Sequence, residues 1–319
     1  MKYVLVLTLA LTMSLAAMGG PALAGVPDEL QNVSVTIKAE NAQGSGTLVT
    51  RQIGEDTISF VWTAGHVVHH LRSVRRVIIK GSEKIVVEYR DPEIVQERQQ
   101  DGRRVGEVKF DAKVIKVTDA DYGEDLALLM VRAKNAYPTS ATAKFHQDIN
   151  YIPAIGIELS HCGSLLGQFG ANSYTTGVLS QTGRTLKMKG ANVRVFDQVT
   201  AVAFPGSSGG GMFLKADGVY IGMLTQGVQQ LQGFNFIVPI RRIHAWAKEA
   251  KVAWAVDPSV PVPTLKEIEA MPVEDSGIVP GGELQRAAGE ASEACAADWL
   301  ESLKRLPIFE RIGDLLPVN

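Results

Sequence analysis

Three short stretches of the chain carry side chains that can move a proton and attack a carbonyl carbon. Phe204-Pro205-Gly206-Ser207-Ser208-Gly209-Gly210-Gly211 embeds a serine in glycines. An attacking hydroxyl needs a tight turn whose backbone amides point at the same spot, and side chains there would block a substrate. Trp62-Thr63-Ala64-Gly65-His66-Val67-Val68 sets a histidine just after a hydrophobic strand, with Ala64 and Gly65 leaving room around the ring. Imidazole takes and returns a proton near neutrality. Glu124-Asp125-Leu126-Ala127-Leu128-Leu129 opens a very apolar strand with an acid at the rim of a core. A carboxylate there can hydrogen-bond an imidazole, fix its tautomer and stabilise the imidazolium. Each stretch taken alone also fits a purely structural role: a glycine-rich hairpin corner, a structural histidine and a turn-forming aspartate.

The elements that must position these groups are strands. From about Asn32 to Pro239 the chain runs in short alternating or apolar segments punctuated by glycine, such as Val33 to Ile37, Thr57 to Trp62, Arg76 to Ile79 and Leu126 to Leu129. Enrichment in β-branched residues with turn residues at short intervals predicts many antiparallel strands. Two groups, roughly 31–135 and 150–240, flank the polar stretch Lys134 to Asn150, predicting two barrels with a crevice between them. The second group is expected to comprise Tyr151–Ile155, Tyr174–Ser180, Val193–Thr200, Gly211–Leu214, Val219–Leu224 and Phe234–Val238. The charged stretch Glu93 to Lys109 reads as a solvated loop or extended hairpin. Over 241–251 the period changes, and Ile243, Trp246, Ala247 and Ala250 share one face of a helix expected to pack back on the second barrel.

The ends differ in composition. Met1-Lys2, an apolar run from Val4 to Ala17 and Ala22-Leu23-Ala24 predict a signal peptide over 1–24, so the product is expected to be exported, periplasmic or secreted, with no membrane span after cleavage. Residues 252–282 hold five prolines and end at Gly281-Gly282, predicting a semi-extended linker. Leu284, Ala288, Ala291, Cys295, Trp299 and Leu303 predict an amphipathic helix in the tail, 283–319, stopped at Pro307. With a formal charge of −2 on 319 residues, the chain lacks the basic footprint of a nucleic-acid binder. His69 and His70 close behind His66 raise the question of zinc, but no His-Glu-x-x-His string exists. Neither a metal nor a cofactor is expected. Cys162 and Cys295 could pair in an oxidising compartment or remain two separate thiols, since sequence does not supply their separation.

Chain order separates two hydrolase classes. Gly206-Ser207-Ser208-Gly209-Gly210 also satisfies Gly-x-Ser-x-Gly, but α/β-hydrolases present serine, then acid, then histidine. Here the order is His66, Asp125, Ser208, and the strand-helix alternation of that fold is missing. Gly44-Ser45-Gly46, Thr63 to Val68, Asp125 to Leu129, Thr176-Gly177-Val178-Leu179-Ser180, Pro205 to Gly210, Ile221-Gly222 and Phe234 to Pro239 occur in the order of one family. Over residues 31–250 the chain resembles trypsin-like serine peptidases of the chymotrypsin clan, in particular the HtrA/Deg branch. That resemblance implies an all-β domain over 25–250, built of two six-stranded barrels with the triad in their cleft and a helix at its end.

It further implies a serine endopeptidase acting on polypeptides: Ser208 as nucleophile, His66 as general base, Asp125 orienting it, and the backbone N–H groups of Gly206 and Ser208 as oxyanion hole. Val202, Leu224, Thr225 and Gln226, facing Phe236, would line the pocket for the residue before the scissile bond. With no carboxylate at its base, small or medium aliphatic side chains are expected there. Substrate backbone is expected to pair with Leu224 to Gln226 as an added strand. The chain departs from the branch in having no room after residue 251 for a PDZ domain, and in Ser207, where HtrA proteins usually carry Asn. Two other functions stay open: a secreted binding or scaffold protein on the same fold, and a serine esterase.

Overall fold

Apolar residues alternating along short segments bury one face by packing a sheet on another layer or by closing it on itself, and the computed structural model shows two closures. It describes residues 25–79, 82–100, 103–188, 193–227 and 233–273. A short helix α1 (Val26–Val33) leads into β1 (Ser34–Ala39), β2 (Ala42–Ile53) and β3 (Asp56–Thr63). The turn α2 (Gly65–Val68) follows, then a separate hairpin of β4 (Arg72–Ile79) and β5 (Ser82–Tyr89). The strands β6 (Glu93–Gln100), β7 (Arg103–Val117) and β8 (Ala127–Val131) complete a closed barrel in the order β1-β2-β3-β8-β7-β6. The charged stretch over 93–109 is therefore a hairpin, and its first strand closes the barrel by pairing with β1 at Thr36↔Val95.

The second group comprises β9 (Lys144–Phe145), β10 (Glu158–Leu165), β11 (Gly170–Lys187), β12 (Val193–Val199), β13 (Gly211–Leu214), β14 (Val219–Gly227) and β15 (Asn235–Pro239). These run in the order β13-β10-β11-β12-β15-β14-β9, and because β13 also pairs with β14, six of them form a second closed circuit. Its interior is lined by Leu159, Leu179, Val199, Ala201, Met212, Ile221, Leu224 and Ile237. One expected strand is misplaced. Tyr151–Ile155 has no regular structure, and the barrel strand here is β10, which begins at Glu158. Pro153 removes a ladder donor from the first, while Ser160-His161-Cys162-Gly163-Ser164 hides a fully buried strand behind polar residue types.

Helix α3 (Ile240–Glu249) buries Ile243, Trp246 and Ala247. It lies against β14 and β15 of the second barrel, yet Trp246 also meets Trp62 of β3 at 5.7 Å between ring centroids, so the helix bridges both barrels. The segment 252–273 is not a free linker. Trp254 packs edge-on against Phe60 at 4.7 Å, the Trp62 indole N–H donates to Ala255 O at 3.1 Å, and Arg51 Nε donates to Trp254 O at 3.0 Å. After α4 (Leu265–Glu269) the chain runs beside β7, where Lys116 Nζ donates to Pro272 O and Val117 N to Val273 O, both at 2.9 Å. A 3-10 turn at Ala253–Ala255 and α4 make most of this segment turns and helix, with a short stretch of neither at 261–264, and Trp254 covers Phe60 of the first barrel. Residues 1–24 and 274–319, including the leader, the tail helix and Cys295, lie outside the described residues. Among the described residues no helix is long and apolar enough to cross a membrane.

Trp254 is 2% exposed, so Trp254→Ala is expected to lower stability by about 3–5 kcal/mol, the usual cost of emptying a buried tryptophan site. The measurement is the midpoint of urea unfolding at unchanged slope. A loss within about 0.5 kcal/mol, the range of ordinary surface changes, would show that the segment contributes nothing to the barrel.

Candidate active site

Asp125 is where the two barrels meet chemically. It ends a loop, 118–125, whose turns are satisfied internally: Asp119 Oδ1 accepts the amides of Asp121 (2.7 Å) and Tyr122 (2.9 Å), Gly123 N donates to Asp119 O at 2.9 Å, and Thr118 Oγ1 accepts Glu124 N at 3.1 Å. Asp125 itself takes the left-handed conformation, φ +57°, which aspartate tolerates better than most residues. Gly65 is required for the same approach, because a side chain there would collide with Thr118 O. The glycine thus makes room for the loop that carries Asp125.

The Asp125 carboxylate is 4% exposed and collects three donors. Oδ1 accepts His66 N at 2.9 Å, Oδ2 lies 2.9 Å from His66 Nδ1, and Thr225 Oγ1 donates to Oδ2 from β14. With a carboxylate on Nδ1, neutral His66 carries its proton there and leaves Nε2 as an acceptor. Burial disfavours the charged form of both groups, but mutual attraction and hydrogen bonding outweigh it. The His66 imidazole is raised above its ordinary value, and the Asp125 carboxyl is held below its own. The aspartate's contribution to stability is present above the ordinary carboxylate pKa and lost as pH falls through its lowered folded value. That of the histidine is present below the ordinary imidazole pKa and lost as pH rises through its raised one. The pair therefore supports the fold fully between about pH 4 and 6.5.

The loop is also tied down from the second barrel. Arg194 of β12 donates to Gly123 O and Tyr122 O, both at 3.0 Å, and Arg242 of α3 pairs with the Glu124 carboxylate at 2.6 Å. Two arginines thus hold three consecutive residues just before Asp125. Sequence reasoning assigned no role to Glu124, Arg194 or Arg242, and no local pattern links residues this far apart.

The serine turn packs against the same region. Ser208 O accepts Ser45 N at 2.8 Å, and Gly209 lies so close to Thr63 and Ala64 that a side chain there would strike both. The Ser208 hydroxyl donates to Thr225 O at 3.3 Å. Thr225 therefore touches both Asp125, through its side chain, and Ser208, through its carbonyl. Among the described residues no hydrogen bond joins Ser208 Oγ to His66. Gly206 takes φ +96°, where a side chain would run into Gly167 N and Ser164 O. Within the turn, the amides of Phe204, Ser207, Gly209 and Gly210 donate to Ser207 Oγ, Phe204 O, Leu224 O and Ser207 O respectively. Those of Gly206 and Ser208 donate to no acceptor among the described residues.

The expected pocket residues fall at different depths. Val202 is half-buried and its carbonyl accepts Thr175 Oγ1 at 3.0 Å. The Leu224 side chain lies in the barrel interior, and its backbone N and O are taken by Gly210 O (2.9 Å) and Gly209 N (2.7 Å). Leu224 therefore has no backbone group left for an added strand. Beyond a register shift that skips Thr225, Gln226 and Gly227 of β14 pair with β15 on one side, while pairing with β13 stops at Met223 on the other. Gln226 opposes Phe236 across the sheet. Phe236 is 2% exposed and packs edge-on against Phe234 at 5.4 Å; Phe234 is the aromatic neighbour that sequence reasoning passed over. On β12, the buried Asp197 forms a bidentate pair with Arg241 at 2.6 and 2.8 Å and also accepts Gly183 N.

His69 and His70 diverge from His66. His69 Nδ1 lies 3.6 Å from Asp119 Oδ2, and His70 Nε2 meets Ala39 O. Among the described residues no three His, Cys, Asp or Glu side chains could hold a metal ion together. Cys162 is a buried free thiol whose pKa burial pushes up to about 12.

Comparison with known proteins agrees with this architecture. The profile of the trypsin-like peptidase domain matches residues 44–223. The serine protease Do-like HtrA of Lactobacillus helveticus is 32% identical over 134 residues, which are 40% of this chain and 31% of that protein. The chain thus spans about a third of the length of that curated relative. Among solved structures, the serine endoprotease of Yersinia pestis is similar at 21% identity and a TM-score of 0.45, covering 72% of this chain and 65% of its own. Deg5 is similar at 19% identity and a TM-score of 0.49, covering 72% and 93%. With more than half of its residues inside the matched profile, the chain belongs to the trypsin-like peptidase family, and its likeness there is to HtrA/Deg proteins.

Proposed function

We propose that the chain is an exported serine endopeptidase that cleaves polypeptides through an acyl-enzyme. The observation that carries this is the pair of amides, Gly206 and Ser208, that find no acceptor among the described residues in a turn whose other amides are bonded. Such donors beside a hydroxyl suit an oxyanion that develops only during reaction. Ser208 Oγ attacks the peptide carbonyl carbon, its proton passes to His66 Nε2, and the carbonyl oxygen takes the negative charge between the two amides. Asp125 holds the Nδ1 proton and stabilises the imidazolium. Collapse of the tetrahedral adduct breaks the C–N bond, and His66 gives its proton to the leaving amine. Water then repeats the sequence on the ester, releasing the acid and restoring Ser208. Rotation of the Ser208 hydroxyl from Thr225 O toward His66 precedes attack, since such bonds commonly tighten only with substrate in place.

Among the described residues no strand pairs with β14 beyond Met223 on the β13 side, which supports an added substrate strand over Thr225 to Gly227, with Leu224 beneath it in the barrel interior. Phe234 and Phe236 make that neighbourhood apolar, and Asp197 is neutralised by Arg241. Small or medium aliphatic residues before the scissile bond fit this better than lysine or arginine.

One observation favours a second reading. The Ser208 hydroxyl bonds Thr225 O and not His66, as it could in a binding protein that never turns over. Fluorophosphonate labelling separates the two: the wild-type protein is expected to label and to hydrolyse casein, and Ser208→Ala to lose both, with a fall in turnover of at least about 10⁴-fold. Undiminished labelling of Ser208→Ala would reject this nucleophile, and no hydrolysis by wild type would favour the binding role. Because catalysis needs neutral His66 and its pKa is raised, the acid limb of kcat/KM should lie above the ~6.5 of free imidazole. Asp125→Asn should move that limb down while lowering kcat about 10⁴-fold; a limb that stays in place would remove Asp125 from the relay. In a digest of a peptide library, cuts should follow aliphatic residues, and cuts dominated by lysine or arginine would overturn the pocket assignment.

A further inference from the structure

Ser45 lies on β2, in the other barrel from the serine turn, and is completely buried. Its backbone N donates to Ser208 O at 2.8 Å, and its hydroxyl donates to Gly206 O at 2.7 Å. The same hydroxyl oxygen accepts Ser164 N at 2.7 Å. Because an amide N–H can only donate, the single hydroxyl proton is committed to Gly206 O. Ser45 O in turn accepts Thr63 Oγ1 at 2.7 Å, three residues before His66. One residue therefore grips the two carbonyls on either side of Ser207. The Gly206–Ser207 peptide plane is fixed at both ends, by Ser45 on its oxygen and by Phe204 O on its nitrogen at 2.9 Å. The Ser208 amide lies between the gripped carbonyls. The flanking Gly44 and Gly46 allow this approach, since side chains there would strike Val67 and Val61.

We propose that Ser45 is a positioning residue for the oxyanion-binding turn: its hydroxyl, held by Ser164, locks the peptide that aims the amides of Gly206 and Ser208. This rests on the peptidase function proposed above. At this fully buried position the hydroxyl is the bonded partner of both Gly206 O and Ser164 N, so removing it takes a hydrogen bond from each. The turn then samples orientations in which the amides miss the oxyanion. Ground-state substrate contacts, made by β14 and the pocket, are untouched.

The test is steady-state kinetics of Ser45→Ala on a fluorogenic peptide with an aliphatic residue before the scissile bond, together with inhibition by the matching peptidyl boronic acid. Expected are a cooperative unfolding transition, a kcat lowered about 10- to 100-fold, a KM within about twofold, and boronate affinity weakened by the same factor as kcat. The control is Thr36→Val, which removes the neighbouring buried hydrogen bond between Thr36 Oγ1 and Ser164 Oγ at 2.6 Å without touching the turn; its kcat should stay within about twofold of wild type. Should Ser45→Ala not fold, Ser45→Cys places a weaker donor at the same point, and an intermediate kcat is expected. The role of Ser45 is overturned by wild-type kcat in either Ser45 variant, by an equal loss in Thr36→Val, or by a rise in KM alone. Failure of wild-type protein to label with fluorophosphonate would overturn the peptidase function and this role with it. Labelling by wild type and by Ser45→Ala at equal rates would remove only Ser45.

Discussion

A buried carboxylate survives in a protein interior only when donors surround it, and Asp125 is surrounded by donors from both barrels. His66 supplies a backbone amide and a ring nitrogen from the turn after β3, and Thr225 supplies a hydroxyl from β14. The two barrels also meet through Trp246 on Trp62, through the arginines on the loop 118–125 and through Ser45 on the serine turn; at Asp125 they share a buried charge as well. Displacing either barrel would strand a charge in low dielectric, which is far more costly than losing a surface contact.

Around that point the structure repeats one device, the backbone of one barrel held by side chains of the other. Arg194 and Arg242 reach across to the loop that presents Asp125. In the opposite direction, Ser45 reaches from the first barrel to the serine turn of the second. The serine turn, built mostly of glycine and small residues, has little packing of its own, and the loop 118–125 is half-buried and acidic over much of its length. Their geometry is set by hydrogen bonds from rigid strands behind them, which is how a site on loops reaches the precision that catalysis needs. Within the serine turn, the amides of Gly206 and Ser208 are the ones with no acceptor among the described residues.

The segment after α3 plays a comparable part for the fold. Residues 252–273 lay Trp254 and a line of backbone acceptors on the outside of the first barrel. Trp62 receives contacts from Trp246, Phe145 and Ala255, so the strand that ends just before His66 is packed by chain from both barrels and from this extension. Proline-rich composition signals an extended backbone but is silent on whether that backbone hangs free or lies on a surface. Only the aromatic contacts distinguish the two.

The sequence alone determined the strand-rich class, the two groups of strands, a helix expected over 241–251 and found at Ile240–Glu249, and the identity of the residues that could do chemistry. These follow from local regularities: alternation, glycine punctuation, helical spacing and the order His66, Asp125, Ser208. Strand β10 was misplaced because its buried residues are serine, histidine and cysteine, whose burial depends on partners far away in the chain. For the same reason no local pattern reports that the Thr225 side chain bonds Asp125, or that the backbone of Leu224 is bonded to the serine turn. Gly44-Ser45-Gly46 is legible as a motif, but the role of Ser45, like those of Arg194 and Arg242, is not, since a hydrogen bond between residues 161 apart leaves no trace in spacing. Periodicity reports which face of an element is buried. Which polar groups then meet across the gap between two barrels is decided only when both have closed and docked.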